Sequence, residues 1–308
     1  MAKIKFKINK ANSNLRLDYF LSKKLFQISR SKIQKTIKEG LILVNKKNVK
    51  PGYLLREGDL ILGSFSFKNK NKLTNFGSKI KLKIIYEDNN FLVIDKPPGI
   101  VVYPGLGREK KSILGAIYNR IKNNFKNSLR PGIVHRLDKD TSGLLLIAKN
   151  RETQNYLLNL FKKRKVFKKY LALLKGHLTP SKGIIKAPIG RDLFNRQKMS
   201  VVCPGEGKEA VTEYRVIKYY NNYTLVEVLP KTGRTHQIRV HFASLGFPLL
   251  GDKIYGHKKD NFLVKRHFLH ASYLKFKMPS GEIKEFKSPI PSDFQKIINF
   301  LDKKYAKT

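Results

Sequence analysis

The chain has 308 residues, and its 64 lysines and arginines against 22 aspartates and glutamates leave a formal net charge of +42. A charge of this size favours a polyanionic partner, and nucleic acid fits better than an anionic membrane because no apolar stretch approaches the roughly 20 residues of a spanning helix. The one cysteine, Cys203, excludes an intramolecular disulfide and a cysteine-rich zinc site. No apolar core of about 7 to 15 residues follows the amino terminus, so we expect a cytoplasmic protein, long enough for two domains.

Two segments near the amino terminus have helical spacing. Leucines and isoleucines recur there every four residues, at Leu17, Leu21, Leu25, Ile33 and Ile37. Ser29 or Ser31 is a candidate N-cap for the second segment, and Gly40 is suited to end it. The spacing therefore predicts two short amphipathic helices.

Extended segments and turns follow the second predicted helix. Residues 41–44 are apolar, 45–48 form a polar turn, and a second turn is expected at 57–59. The helices carry many basic side chains, which suits a phosphate-binding surface, although a solvated helix face is the alternative. The candidate RNA-binding residues on this surface are Arg16, Arg30, Lys32 and Lys35.

Five short motifs keep the order and spacing seen in S4 RNA-binding domains, and residues 15–62 therefore resemble that family. The motifs are Arg16-Leu17-Asp18, Ser29-Arg30-Ser31, Ile37-Lys38-Glu39-Gly40, Val44-Asn45 and Glu57-Gly58-Asp59-Leu60-Ile61. Lys46 stands where the family usually has a glycine, a difference that concerns the shape of the turn. The resemblance implies a module that recognises structured RNA by its shape and backbone.

A polar run over residues 68–78 buries nothing and is typical of a linker. It places a first domain at 1–67 and a second at 79–308. In the second domain, strands are expected at 91–95, 144–148, 170–174 and 224–229, helices at 113–121 and 153–163, and a long polar excursion between 174 and 224. Because this order has no strict βαβ rhythm, we predict an α+β fold with a mixed, largely antiparallel sheet flanked by helices, preceded by a small α/β-type module.

The segment from His135 to Gly143 combines acidic, basic and hydroxyl side chains with a glycine in one turn, directly before an expected buried strand. A carboxylate beside a core must be paired, hydrogen-bonded or kept near water, so Asp138 and Asp140 are candidate functional groups. The alternative is an ordinary turn, since aspartate, threonine, serine and glycine also satisfy backbone donors.

A fifth helix is predicted where Ile238, Phe242 and Leu245 repeat at helical spacing and Gly246 closes the segment. A metal site is disfavoured, because two histidines at i and i+5 do not share one helix face. A solvated face and a surface that faces an anion, either phosphate or a carboxylate from elsewhere in the chain, both stay open. The donors concerned are Arg234, His236, Gln237, Arg239 and His241.

Together these segments resemble the ribosomal large-subunit pseudouridine synthases of the A, C and D types over about residues 80–295. The most specific element is residues 132–143, Gly-Ile-Val-His-Arg-Leu-Asp-Lys-Asp-Thr-Ser-Gly. Further elements in family order are residues 168–173, 231–241 and 248–252. An S4 module ahead of this domain is similar to the C and D types, with a preference for the D type based on Arg130-Pro131-Gly132-Ile133-Val134 and on Pro289-Ile290-Pro291.

The resemblance implies an isomerase that converts uridine in RNA to pseudouridine and needs no cofactor and no metal. It gives Asp138 the role of nucleophile, attacking C1′ of the sugar or C6 of the base, and pairs it with Arg239. It gives Tyr170 the task of stacking on the flipped-out uridine, with a part for its phenol in removing the C5 proton. Arg136 is expected to occupy the space that the base leaves, or else to contact phosphate, and His135 to support the turn.

Other functions remain open on the sequence. One is an RNA-binding ribosome-assembly factor without catalysis, against which the intact Asp138, Tyr170 and Arg239 argue. Another is an RNA methyltransferase, which needs a glycine-rich loop after a strand, whereas Gly205-Glu206-Gly207 falls in the polar excursion. The expected substrate is ribosomal RNA of the large subunit, with transfer RNA as the alternative, and the expected state is a monomer that binds no membrane.

Overall fold

A computed structural model describes residues 2–25, 28, 30–65, 80–104, 111–125, 128, 130–192, 194–195, 198–256 and 264–305. The chain divides into two compact units, the first made of Met1–Leu73 with Phe125–Pro131 and the second of Thr74–Asn124 with Gly132–Thr308. The predicted linker at 68–78 lies outside the described residues, so the domain boundaries on either side of it stay predictions. Within the described part of the chain, no helix is long and apolar enough to cross a membrane.

The amino-terminal unit packs two helices against a small antiparallel sheet. Its strands are β1 (Ala2–Lys7), β2 (Ile42–Val44) and β3 (Leu60–Phe65), in the order β1-β3-β2, and its helices are α1 (Leu17–Lys24) and α2 (Arg30–Lys38). The residues that predicted the helices form its core, since Leu17, Leu21, Ile33 and Ile37 are all inaccessible to solvent. The two predicted helices are therefore confirmed.

Two features of this unit differ from the sequence interpretation. Ser31 lies inside α2 and is not an N-cap, while the alternative, Ser29, lies outside the described residues. Strand β1 was not predicted, although Ile4 and Phe6 alternate with lysines at the period of a strand. It pairs with β3 along its whole length, and both apolar side chains pack on the core.

The second unit is built on a large sheet with helices on both faces. Its helices are α3 (Ile113–Ile121), α4 (Arg151–Lys162), α5 (Gln237–Ser244) and α6 (Ser292–Tyr305). Its strands are β4 (Lys83–Glu87), β5 (Phe91–Lys96), β6 (Ser142–Ala148), β7 (Phe167–Lys175), β8 (Lys182–Lys186), β9 (Ile189–Arg191), β10 (Met199–Val201), β11 (Val211–Tyr220), β12 (Tyr223–Pro230), β13 (Leu269–Lys277) and β14 (Ile283–Lys287).

The strand order of the main sheet is β4-β5-β6-β13-β7-β12-β11-β8, with β14 paired to β13, while β9 and β10 form a separate two-stranded ribbon. The pairing of β6 with β13 is parallel, and the other pairings between these strands are antiparallel. The prediction of an α+β fold with a mixed, largely antiparallel sheet is therefore confirmed.

The segment between 174 and 224, for which no strands were predicted, is not irregular. It contains β8 to β11, and β11 alone is 10 residues long. In β11, buried Thr212 and Tyr214 alternate with more exposed Glu213 and Arg215. The period of a strand is present, but threonine and tyrosine carry the buried positions, so hydrophobicity alone did not reveal it.

Strand β7 divides the core of this unit between the two faces of the sheet. Ala172 and Leu174 pack in one cluster with Phe242 of α5, whereas Leu171 and Leu173 pack in another with residues of α6. Tyr170 lies on the α5 side, packed against the first cluster. The alternation of a strand thus places Tyr170 on the same side of the sheet as α5.

Candidate active site

Buried basic side chains hold the loop that carries Asp138. The Lys96 ammonium, at the end of β5, donates to the carbonyl oxygen of Lys139 at 2.9 Å and to those of Pro97 and Ile100 at 2.8 Å each. Arg266 donates to the carbonyl oxygen of Asp140 at 3.1 Å. Burial lowers the pKa of Lys96 to about 7. Sequence reasoning missed this lysine, although it directly ends a buried apolar strand.

Two histidines continue the same support along the loop. His267 is hydrogen-bonded through Nε2 to the Thr141 hydroxyl at 2.9 Å, and His270 through Nδ1 to the Ser142 hydroxyl at 3.0 Å. Burial, together with the charge of Arg239, lowers the pKa of His267 to about 4, so this ring is neutral near neutral pH. Each residue from 139 to 142 therefore has a partner, and the loop geometry is fixed by groups distant in sequence.

His135 supports the start of the segment. Its Nε2 accepts the backbone N–H of Leu146 at 2.9 Å, and its ring stacks on Phe161 with centroids 4.7 Å apart. Burial lowers the pKa of His135 to about 3, which keeps the accepting nitrogen unprotonated. This geometry agrees with the supporting role expected for His135.

Helix α5 brings Arg239 to the Asp138 carboxylate. Arg239 Nη1 donates to Asp138 Oδ2 at 3.0 Å, and the two side chains are 4% and 16% exposed. No hydrogen bond from the described residues reaches the other oxygen, Oδ1. The pairing expected from the resemblance is thus present, and among the described residues it holds one of the two carboxylate oxygens.

Arg239 has a second acidic partner that sequence reasoning did not identify. Its Nε and Nη2 donate to the two oxygens of Asp252 at 2.7 and 2.9 Å. Burial alone would raise the pKa of Asp252, but the hydrogen bonds and the charge of Arg239 outweigh it and hold that pKa below its ordinary value. The one signal in the sequence was the position of Asp252 at the end of the motif 248–252.

His236 and Tyr255 complete the surroundings of Asp138. His236 Nε2 lies 3.9 Å from Asp138 Oδ2, and its Nδ1 is hydrogen-bonded to the Tyr255 hydroxyl at 2.8 Å. The Arg239 guanidinium lies over the Tyr255 ring, 5.0 Å from its centroid. Burial lowers the pKa of His236, so the charges at this point of the site are those of Asp138, Arg239 and Asp252.

The charge of Asp138 affects the pKa of Tyr170. Burial raises the pKa of the Tyr170 phenol, and the Asp138 carboxylate raises it further, so the hydroxyl keeps its proton. Arg136, two residues before Asp138, is exposed to solvent. The structure therefore joins Arg239 to Asp138 by a hydrogen bond, places Tyr170 within electrostatic range of Asp138 and leaves Arg136 exposed to solvent.

Of the two interpretations left open for the donors of the helix now labelled α5, the solvated face is wrong for three of them. Gln237, Arg239 and His241 are all nearly inaccessible. His241 bonds to Thr212 and to the Ala187 carbonyl oxygen, and Gln237 reaches Thr212 as well. Among these three donors Arg239 alone reaches the Asp138 carboxylate, which agrees with the other interpretation left open, a donor that faces a carboxylate from elsewhere in the chain.

In the amino-terminal unit, two of the four candidate RNA-binding residues share a buried acid. Arg16 and Arg30 each bind both oxygens of Asp18, at 2.9 to 3.3 Å, and remain about half exposed. Lys35 lies 3.5 Å from Glu39, and Lys32 is exposed on α2. The two guanidinium groups are thus held by Asp18, and both lysines are exposed on α2.

Comparison with known proteins identifies both units. A family model described as RNA pseudouridylate synthase matches residues 90–244, and a model of the S4 domain matches residues 15–61. The chain is 39% identical over 307 residues to the ribosomal large subunit pseudouridine synthase D of Buchnera aphidicola subsp. Schizaphis graminum. This alignment covers 94% of this chain and 95% of the relative. The protein of the same name from Borreliella burgdorferi is 37% identical over 300 residues, or 96% and 92% of the two chains.

An uncharacterized RNA pseudouridine synthase of Bacillus subtilis is 39% identical over 291 residues, 94% of each chain. Among solved structures, human RNA Pseudouridylate Synthase Domain Containing 4 superposes with a TM-score of 0.58 at 26% identity, over 71% of this chain and 92% of that one. Human RNA Pseudouridylate Synthase Domain Containing 1 gives 0.56 at 27% identity, over 72% and 94%. These likenesses agree with the fold described above.

Proposed function

Because the chain belongs to the RNA pseudouridylate synthase family and carries an S4 domain, we propose that it isomerises uridines of ribosomal RNA to pseudouridine with Asp138 as the nucleophile. The observation that carries this proposal is the hydrogen bonding of the Asp138 carboxylate. Arg239 holds one oxygen at 3.0 Å, while no described residue donates to the other oxygen. A carboxylate held in this way can attack an electrophilic carbon.

The isomerisation breaks the bond between N1 and C1′ and makes one between C5 and C1′. No group is lost and no electrons leave the substrate, so a nucleophile and a proton transfer suffice. Asp138 forms the bond to the substrate at C1′ or at C6, and breaking that bond releases the carboxylate again. Arg239 remains protonated throughout, since hydrogen bonds and the charge of Asp252, followed by those of Asp138, raise its pKa above the ordinary value despite burial.

A uridine must leave its stack to reach Asp138, which costs about a few kcal/mol. Tyr170 supplies an aromatic face beside the carboxylate, and stacking of a base on such a ring offsets about 1 to 3 kcal/mol of that cost. The isomerisation removes a proton from C5 and adds one to N1, and the protonated Tyr170 hydroxyl is our candidate to relay it, giving its own proton to N1 as it takes the one from C5. The exposed Arg136 then occupies the space that the base has left.

The substrate class rests on three observations. The net charge of +42 suits a large RNA, the S4 domain suits structured RNA, and two relatives are named as ribosomal large subunit enzymes. We therefore propose large-subunit ribosomal RNA as the substrate and an S4 domain joined to the catalytic domain through residues 68–78. A cytoplasmic location, as predicted from composition, agrees with this substrate.

Carbodiimide mapping of RNA from a strain that lacks the gene tests the proposal. We expect specific pseudouridines to disappear from large-subunit ribosomal RNA, to return with the wild-type gene, and to stay absent with Asp138→Asn. If pseudouridines disappear only from transfer RNA, the proposed substrate is wrong. If they disappear from no RNA, the proposed activity is wrong. Because pseudouridine and uridine have the same mass, a mass change at the mapped sites would also contradict an isomerisation.

A further inference from the structure

An open groove lies over β7, β13 and β14, away from the candidate active site. Its volume is about 390 Å³, and its lining includes the rings of Phe167 and Tyr273 together with three lysines. Side chains alternate along β7, so Phe167 lies on the face of the sheet opposite Tyr170. The groove is therefore separate from the surroundings of Asp138, and its size falls in the range of ligand-binding sites.

Phe167 is accessible although its strand lies inside the sheet. β7 and β13 are neighbours in the interior of the strand order, and further along β7 the same face is covered by α6, which packs on Leu171. At Phe167 the described residues leave 40% of the residue exposed, and Ile283 in the same groove is 58% exposed. Exposed apolar side chains that are adjacent, and not scattered singly, indicate a binding surface.

Tyr273 supports the Phe167 ring. The two rings meet edge to face, with centroids 5.8 Å apart and planes at 85°. The Lys169 ammonium lies over the Tyr273 ring at 5.7 Å from its centroid, and it is itself bound to Glu227 at 3.0 Å. Because Tyr273 already has these neighbours, Phe167 is the ring that is available to stack on a ligand.

The lysines of the groove have little acidic compensation. Lys275 lies 3.9 Å from Glu285, and no acidic side chain of the described residues pairs with Lys165 or Lys277. Like charges that are held together in this way repel one another and attract a polyanion. An aromatic ring among uncompensated lysines matches the two parts of a nucleotide, which are a flat base and a phosphate.

The positive charge next to the groove exceeds what the neighbouring helix needs. Helix α4 ends at Lys162, and Lys163 is its C-cap. Cations complement the dipole of a helix only within its last turn, which accounts for Lys162 but not for Lys165. Residues 162–165 are Lys-Lys-Arg-Lys and all are exposed. They extend the positive charge of the groove along the protein surface.

We propose that this groove binds an unpaired nucleotide of the RNA, with the base stacked on Phe167 and the flanking phosphates bound by Lys165 and Lys277. Lysine is depleted in protein–protein interfaces, so this lining favours RNA over a protein partner. The proposal rests on the function proposed above for the identity of the ligand. It goes beyond that function because it assigns a second RNA contact on the face of the sheet opposite Tyr170.

The test is the Kd of the full-length chain for a fluorescent oligocytidine of about ten nucleotides, which contains no uridine to isomerise. We expect Phe167→Leu to raise the Kd at least about fivefold, the lower bound for the loss of one stacked base, and Phe167→Tyr to bind as wild type does. The matched control is Phe300→Leu, because Phe300 on α6 is 46% exposed and also lies near a lysine, Lys304. This control should keep the wild-type Kd.

The double variant Lys165→Gln and Lys277→Gln tests the phosphate contacts, and it serves if Phe167→Leu does not fold. We expect the slope of log K against log salt to fall in magnitude by about 1.4 for two lost contacts to a single strand. The matched control is Lys182→Gln with Lys186→Gln, which removes the same charge from exposed positions on β8. This control should keep the wild-type slope.

Ultraviolet crosslinking of the bound oligocytidine, followed by mass spectrometry of the peptides, locates the contact directly. We expect a crosslinked nucleotide at Phe167 or Tyr273. A wild-type Kd and salt slope in the groove variants, or crosslinks confined to other parts of the chain, would overturn the site. These assays measure binding alone. If the chain binds RNA in the groove but forms no pseudouridine, the function proposed above fails and the groove stands, so the two failures are distinguishable.

Discussion

Arg239 and Asp138 are 101 positions apart in the chain, and a hydrogen bond of 3.0 Å joins them. Asp138 lies in the loop before β6, and Arg239 lies in the middle of α5. Both side chains are mostly buried, so removing either one would leave the other without this partner in a largely desolvated place. The candidate site therefore exists only in the folded chain, and its parts can be separated by substitutions that leave the fold intact.

Tyr170→Phe tests the role of the hydroxyl separately from that of the aromatic ring. We expect RNA affinity to stay within about twofold, because phenylalanine can stack on a base as tyrosine does. We expect the single-turnover rate to fall at least tenfold, because the protonated hydroxyl beside Asp138 is lost. The measurement is tritium release from RNA labelled at C5 of uridine.

Tyr170→Leu removes both properties and serves as the comparison. We expect it to weaken binding as well, in line with the roughly 1 to 3 kcal/mol of one stacked base. A wild-type rate in Tyr170→Phe would contradict a role for the hydroxyl, and unchanged binding in Tyr170→Leu would contradict the stacking role.

The lysines of α2 are expected to contact phosphates. The double variant Lys32→Gln and Lys35→Gln should bind RNA more weakly, and the slope of log K against log salt should fall in magnitude by about 1.4 to 1.8 for two lost contacts. The matched control is Lys296→Gln with Lys303→Gln, which removes the same charge from exposed positions on α6. An unchanged slope in the α2 variant would contradict this surface.

Gly143→Ala tests the close approach of β6, directly after the Asp138 loop, to β13. Gly143 has a φ of +108°, and a Cβ there would collide with the backbone of Ala271. We expect the free energy of unfolding to fall by more than about 3 kcal/mol in urea denaturation. Gly99→Ala is the control, since Gly99 has a φ of +82° with nothing within 4 Å, and should cost only about 1 to 2 kcal/mol. Equal losses would contradict the proposed collision.

His267 makes stability depend on pH. Burial lowers its pKa from 6.5 to about 4 in the folded chain, so below pH 6.5 the unfolded chain binds the proton more readily and the folded state loses stability as the pH falls. Between pH 7.5 and pH 5 this one group should cost about 2 kcal/mol. Urea denaturation of His267→Gln at both pH values should show a loss smaller by that amount. An identical loss in both proteins would contradict a buried neutral histidine.

Local patterns in the sequence predicted the elements that bury a clear apolar face. Leu17 and Ile33 mark the helices of the amino-terminal unit at their correct positions, and the apolar run before Lys149 marks β6. The association of Asp138 with Arg239 came from the resemblance to a family, because no spacing rule connects a loop and a helix that are this far apart.

The groups that sequence reasoning missed share one property, which is that their partners are distant in sequence. Asp252 is recognisable only from its bonds to Arg239, and Lys96 only from the Lys139 carbonyl oxygen. Thr212 was missed for the same reason, since a polar residue can fill a buried strand position once His241 and Gln237, both distant in sequence, satisfy it. Burial of paired polar groups depends on tertiary structure, and hydrophobic periodicity does not report it.

The most direct test of the account is the activity of Asp138→Asn. The amide keeps the shape of the side chain and an acceptor for Arg239, but it lacks the negative charge needed to attack the substrate. We expect no tritium release above the background without enzyme, with RNA affinity within about twofold of wild type and an unchanged fold by circular dichroism. Substantial tritium release by this variant would contradict the assignment of Asp138 as the nucleophile.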